Sequence, residues 1–260
     1  MHIGLIGFGS IGREVHERLS DDRSFSFCAM TRSPIAALPA GLAQVRDYAA
    51  LLATKPDLVV ECAGHSAVKA HAEATLAART PILIASLGAL ADAELFKALQ
   101  AQATASQTKM IFPSGAIGGL DVLRAVAAEG AVEVTYTGTK PPKSWMGSPA
   151  EDLVDLSSLN TATTFFSGTG RQAASDFPKN ANVVAALALA GAGFDEMRVE
   201  LIADPAALAN THSYSVTSQA CDYSFSIANA PTPGNPRTSL TTVLSIVQDI
   251  RTFASVTPQT

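Results

Sequence analysis

Apolar residues in the first half of the chain fall in short aliphatic runs, separated by stretches with an apolar position every third or fourth residue. That rhythm belongs to βαβ units feeding a parallel sheet. Ile3 to Ile6 predicts a first strand, and Ile11, Val15 and Leu19, four apart with polar residues between them, predict a helix over 11–19. Phe25 to Met30 predicts the second strand, and Asp57 to Cys62, after Lys55-Pro56, predicts a buried one followed by a helix over 67–78. Pro81 to Ala85 repeats the unit. A helix around 91–100 and a strand at 109–112 complete an expected five parallel strands. Ligand chemistry is expected at their carboxyl ends, where Gly7, Thr31, Ala63 to His65, Ser86 and Pro113 to Ala116 fall.

Beyond about Gly130 the period shortens to two in Val132 to Tyr136, His212 to Thr217 and Tyr223 to Ile227, with a further strand at Leu201 to Pro205. An Ala-rich stretch, 181–192, predicts one helix. Pro231 to Pro236 reads as a turn or short linker. The last segment, Thr238 to Phe253, is an amphipathic helix with Leu240, Val243, Leu244, Val247 and Ile250 on one face. The expected fold is α/β, a Rossmann doubly wound parallel sheet with a second α+β domain. Residues 1–112 form the dinucleotide-binding domain, 113–235 a substrate and dimerisation domain, and 236–260 a C-terminal helix packing back on the first.

Gly7-Phe8-Gly9-Ser10-Ile11-Gly12 matches GxGxxG between a predicted strand and a predicted helix, the context that gives this motif its meaning. Gly7 permits the tight turn, Gly9 lets backbone approach a pyrophosphate, and Gly12 lets the helix lie close on the sheet. The N–H groups of Ser10 and Ile11 at the helix start then face the phosphates. An NAD site would end its second strand in Asp or Glu, to grip the ribose 2′-hydroxyl. This chain has Thr31-Arg32-Ser33. Arg32 suits a 2′-phosphate, with Thr31 and Ser33 donating to the same group, so NADP is expected and NAD tolerated.

Composition narrows the partners. The 260 residues are 47% hydrophobic and 16% charged, which fits a folded enzyme. The net charge of -5 offers no general basic surface for nucleic acid. Cys28, Cys62 and Cys221 make neither a disulfide framework nor a metal motif, so no metal and a cytoplasmic address are expected. The apolar stretch 183–194 is too short for a bilayer, and the N-terminal residues lack the pattern of a signal peptide, so no membrane role is expected.

Hydride transfer needs a proton acceptor beside the carbon that loses hydride. Of five histidines, His2 begins the first strand, His16 is expected on a polar helix face and His71 lies within a helix. His65, at a strand's carboxyl end with Ala63 and Gly64, and His212, beside a strand of the second domain, remain as candidates.

Five segments decide between them: Val60-Glu61-Cys62-Ala63-Gly64-His65, Ser114-Gly115-Ala116-Ile117-Gly118, Pro178-Lys179-Asn180-Ala181-Asn182-Val183, Asn210-Thr211-His212 and Asn235-Pro236-Arg237-Thr238-Ser239. In order and spacing, over nearly the whole chain, they resemble L-aspartate dehydrogenase. The resemblance implies oxidation of L-aspartate to iminoaspartate with NAD or NADP, then hydrolysis to oxaloacetate and ammonium, with the reverse amination also open. It implies that His212 is the active-site histidine and that Ala116 and Asn182 contact the nicotinamide. A dianionic substrate also needs cations or a helix N-terminus. The candidates are Lys140, Lys179 and the Thr238-Ser239 start of the last helix, with His65 nearby. A homodimer through the second-domain sheet is expected. The competing readings are a reductase of another small carboxylate, such as a dihydrodipicolinate-like compound, and a non-catalytic dinucleotide sensor.

Overall fold

The computed structural model describes residues 1–178, 180–232 and 235–256. The chain divides into two compact units, Met1–Pro113 together with the segment from Thr242, and Ser114–Thr241.

The first unit runs β1 (His2–Ile6), α1 (Ser10–Leu19), β2 (Ser26–Met30), β3 (Leu42–Val45), α2 (Tyr48–Ala53), β4 (Leu58–Glu61), α3 (His65–Ala77), β5 (Ile82–Ile84), α4 (Ala93–Ala105) and β6 (Met110–Ile111). The strands form one parallel sheet in the order β3-β2-β1-β4-β5-β6. There are six strands rather than the expected five. β3, Leu-Ala-Gln-Val, has one buried residue, Leu42, so its edge position leaves almost no apolar signal. The central strands are buried on both faces, which is why residues 3–6 of β1 and 58–60 of β4 read as unbroken apolar runs.

The second unit contains α5 (Leu120–Glu129), β7 (Val132–Lys140), β8 (Thr163–Thr169), α6 (Gly170–Asp176), α7 (Ala181–Leu187), β9 (Arg198–Ala203), β10 (Asn210–Ser218), β11 (Asp222–Asn229), and a short pair, β12 (Pro231–Thr232) with β13 (Asn235–Ser239). Its main sheet is mixed, in the order β11-β10-β7-β9-β8, with β7 and β9 parallel and the other pairs antiparallel. Val134, Tyr136 and Gly138 of β7, Val199, Leu201 and Ala203 of β9, and His212, Tyr214 and Val216 of β10 face the buried side. The alternate residues, Thr135, Thr137, Thr139, Ser213 and Ser215, are half-buried or exposed. The Ala-rich helix is shorter than expected. α7 ends at Leu187 and continues as a π turn to Ala192, in which Gly191 takes φ 128°.

The final helix, α8 (Leu240–Val256), places Val243, Ile246, Val247, Ile250 and Phe253 in the same buried cluster as Ile3, Leu5, Leu19, Val60 and Leu83. Thr238 and Ser239 do not start this helix. They end β13, where Ser239 pairs with Pro231 and the Thr238 carbonyl accepts from Thr232 Oγ1. The antiparallel pairing captures both residues before the helix begins. His16 is corrected too: it is buried, with its ring edge-on to Phe8 and Phe27, because α1 presents a second packed flank to the turn after β1 and to β2. No described helix is long and apolar enough to cross a membrane.

Candidate functional site

In the first unit the carboxyl edge of the sheet is built around the glycine turn. Gly7 takes φ 96° and its N–H donates to the Met30 carbonyl, which pins the turn to the end of β2. A Cβ on Gly12 would lie 2.7 Å from the Gly7 carbonyl oxygen, whereas one on Gly9 would meet nothing within 4 Å. The helix is therefore locked against the turn while open space lies over Gly9, which fits a pyrophosphate. Among the described residues no side chain caps α1, so the N–H groups of Ser10, Ile11 and Gly12 are left facing that space. From below, the Cys62 thiol donates to the Gly7 carbonyl at 3.3 Å. Burial first and then the neighbouring Glu61 carboxylate push this thiol well above its ordinary range, so it remains protonated.

At the end of β2, Arg32 is exposed and its carbonyl accepts from Arg46 Nη1 at 3.1 Å, bringing a second guanidinium to the loop. Thr31 is already engaged: its hydroxyl donates to the Ser33 carbonyl at 2.7 Å and accepts from Gln44 Nε2. Gln44 of β3 thereby ties the loop expected to receive a 2′-phosphate to the sheet. At the end of β4, Ala63 is exposed, Gly64 takes φ 116°, and His65 is the first residue of α3.

The second unit gathers its chemistry on the buried face of the mixed sheet. His212 is 5% exposed and pairs with Gly138 of β7. Its Nδ1 shares a hydrogen bond of 2.6 Å with Tyr136 Oη. The hydroxyl reaches past Gly138, where a Cβ would lie 2.8 Å from it, so glycine keeps the path open. Burial, and then the charge of Lys140, lower the His212 pKa from 6.5 to about 4. Burial raises that of Tyr136, which stays a phenol. Lys140 Nζ donates to Asn180 Oδ1 and lies 4.6 Å from the centre of the Trp145 ring. Asn180, buried just before α7, spends its side chain on Lys140 rather than on a cap.

Ala116 is buried, and its carbonyl accepts from Asn229 Nδ2 at 3.0 Å, while the Gly118 carbonyl accepts from Tyr214 Oη at 2.9 Å. Asn182, the second residue of α7, is exposed. Lys179 lies outside the described residues. Thr238 and Ser239 are half-buried in β13. A cavity of about 400 Å³ lies elsewhere in this unit, lined by Pro142, Lys143, Met146, Glu151, Val154 and Asp155, and its two carboxylates suit a dianion poorly.

The structure thus brings His212 and Lys140 into one neighbourhood and adds Tyr136 and Asn180, which the sequence reading did not single out. A signal for Tyr136 was present. Tyr136, Gly138 and Lys140 alternate along one strand, and glycine inside a strand marks a close approach.

A glycine turn at the switch point of a parallel sheet, with a second unit carrying a buried imidazole beside a lysine, defines the class of nicotinamide-dependent oxidoreductases. Family profiles agree, with "Homoserine dehydrogenase, NAD binding domain" matching residues 7–113 and "Aspartate dehydrogenase, C-terminal" matching residues 121–253. The chain belongs to the aspartate dehydrogenase family. It is 44% identical to L-aspartate dehydrogenase of Ruegeria pomeroyi over 96% of this chain and 92% of that one. With the Cupriavidus necator L-aspartate dehydrogenase it shares 39% identity over 95% and 96%. The crystal structure of aspartate dehydrogenase from Thermotoga maritima superposes with a TM-score of 0.81 at 30% identity, covering 100% of this chain and 99% of that one.

Proposed function

We propose that this chain oxidises L-aspartate to iminoaspartate with NADP or NAD, releasing oxaloacetate and ammonium on hydrolysis, and that it runs the reverse amination with the same residues. The observation that carries the mechanism is the buried imidazole of His212 anchored at Nδ1 by Tyr136. The bound dinucleotide supplies the hydride acceptor. Gly7, Gly9, Ser10, Ile11 and Gly12 hold its pyrophosphate, Ala63 and Gly64 its nicotinamide side, and Arg32 the adenosine end, with Ala116 and Asn182 assigned to the nicotinamide by the family resemblance.

With Nδ1–H donating to Tyr136 Oη, the Nε2 lone pair of His212 is the base. It takes a proton from the α-ammonium group, so the nitrogen lone pair closes a C=N bond as hydride leaves Cα. Once the imidazolium has released that proton to solvent, the neutral ring takes a second proton from the water that attacks the imine. Tyr136 Oη accepts from the imidazolium that forms, a charge-assisted bond stronger than the resting one. Lys140 pairs with a substrate carboxylate. That pairing cancels the charge which helps depress His212, and so lifts the imidazole toward the range in which it holds a proton. His65 stays a substrate-side candidate at the start of α3.

A panel of amino and keto acids with both cofactors tests the reading. Activity is expected with L-aspartate, and with oxaloacetate plus ammonium; silence in both directions sinks it. His212→Ala should retain dinucleotide binding and lose turnover by about two to four orders of magnitude. We also propose that the polar face of the mixed sheet, with Thr135, Thr137, Thr139 and Ser213, pairs with a second copy, and that the protein works in the cytoplasm. A monomer by light scattering overturns the pairing.

A further inference from the structure

Glu61 ends β4 with a side chain 0% exposed, and the mechanism above does not use it. Its carboxylate accepts four hydrogen bonds. Oε1 takes the N–H groups of Ala63 and Gly64, both at 2.8 Å, and the Ser86 hydroxyl at 3.1 Å, while Oε2 takes the Ser86 N–H at 3.1 Å. Burial pushes its carboxyl up, and these four donors pull against that. No ion pair to Glu61 occurs among the described residues. A carboxylate kept in such a place needs every one of its partners, because a buried charge is tolerated only when fully hydrogen-bonded.

Those partners lie at the carboxyl ends of two neighbouring strands. Glu61 joins the β4–α3 loop to Ser86 just after β5, and the next residue, Cys62, donates to the carbonyl of Gly7 in the glycine turn. Two consecutive side chains therefore connect three loops at the sheet's carboxyl edge. The loop they shape offers little but backbone: Ala63 is exposed, and a Cβ on Gly64 would meet nothing within 4 Å. In a doubly wound sheet the dinucleotide lies across the switch point, here between β1 and β4. β2 with Arg32 stands on the adenosine side, so the β4 loop stands on the nicotinamide side.

We propose that Glu61 is a positioning residue for the dinucleotide, holding the Ala63–Gly64 backbone in the shape that receives the nicotinamide half; this rests on the dehydrogenase reading above. Glu61→Gln keeps the shape of the side chain, but whichever way the amide turns it aims an N–H at an N–H. The affected contact lies at the end of β4, with β1 between it and β2, whose end carries Arg32.

The test is equilibrium titration of wild type and Glu61→Gln with NADPH and NADH by fluorescence, and with adenosine 2′,5′-bisphosphate and ADP by calorimetry. Binding of the reduced dinucleotides should weaken by about tenfold or more, with the two adenosine probes unchanged within about twofold. Ser86→Ala removes one donor and leaves the carboxylate in place, and it should shift dinucleotide binding in the same direction by a smaller factor. It carries the test if Glu61→Gln does not fold. Unchanged NADPH and NADH binding, or equal weakening of the adenosine probes, overturns the proposal. Failure of the wild type to bind either dinucleotide overturns the dehydrogenase reading and takes this one with it, a pattern distinct from the other two.

Discussion

Tyr136 Oη and His212 Nδ1 lie 2.6 Å apart on adjacent strands, with their rings 6.0 Å between centres and inclined by 19°. The register that pairs His212 with Gly138 creates this relationship, since the tyrosine sits one pair further along the same face. It fixes which ring nitrogen is anchored and which is left for chemistry.

Tyr136→Phe removes the anchor without removing the base. Losing one hydrogen bond to the imidazolium should lower kcat by about ten- to a hundredfold. Dinucleotide affinity, measured by fluorescence titration, should stay unchanged. A kcat equal to wild type would show that Nδ1 needs no partner.

His212 also makes stability depend on pH. Its pKa is 6.5 in the unfolded chain and about 4 in the fold, so between these values the unfolded chain binds a proton that the native state refuses. Stability is unaffected above that window, falls as the pH drops through it, and has lost on the order of 3 kcal/mol at its lower end. Denaturant melts of wild type and His212→Asn across the window should diverge accordingly, the variant losing less. Parallel curves would contradict the buried, neutral imidazole.

Lys140→Met should raise the His212 pKa toward 6.5, because the lysine charge is its second depressing cause. NMR titration of the imidazole reads this directly. The same variant should raise KM for aspartate by about tenfold or more if Lys140 pairs with a substrate carboxylate. A lower His212 pKa in the variant would reverse the sign of the argument.

Arg32→Asp should turn cofactor preference from NADP toward NAD. A carboxylate at that position repels a 2′-phosphate and accepts from a 2′-hydroxyl. The ratio of kcat/KM for the two cofactors should shift by about a hundredfold. An unchanged ratio would leave Arg46, whose guanidinium bonds the Arg32 carbonyl, as the residue to vary next.

Much of the first unit is legible in the chain because its signals are local. GxGxxG between an apolar run and a four-residue apolar spacing marks a strand, a turn and a helix within twenty residues. β3 escaped because only Leu42 of its four residues is buried, and β8, whose residues are all half-buried or exposed, left no alternation to read. His16 was misplaced for the opposite reason: periodicity gave one apolar stripe for α1, while packing against Phe8 and Phe27 uses a second flank.

Sequence alone determined the dinucleotide turn, the βαβ order, the amphipathic last helix and, through family resemblance, the histidine to watch. These are matters of spacing within a segment or of whole motifs. Tertiary structure alone decided that Tyr136 meets His212 across 76 positions, that Lys140 reaches Asn180, that Thr238 and Ser239 are strand rather than helix, and that Glu61 is a buried carboxylate with four donors. Such pairings depend on strand register and on which donors surround a buried group, and neither is written in the order of residues along one segment.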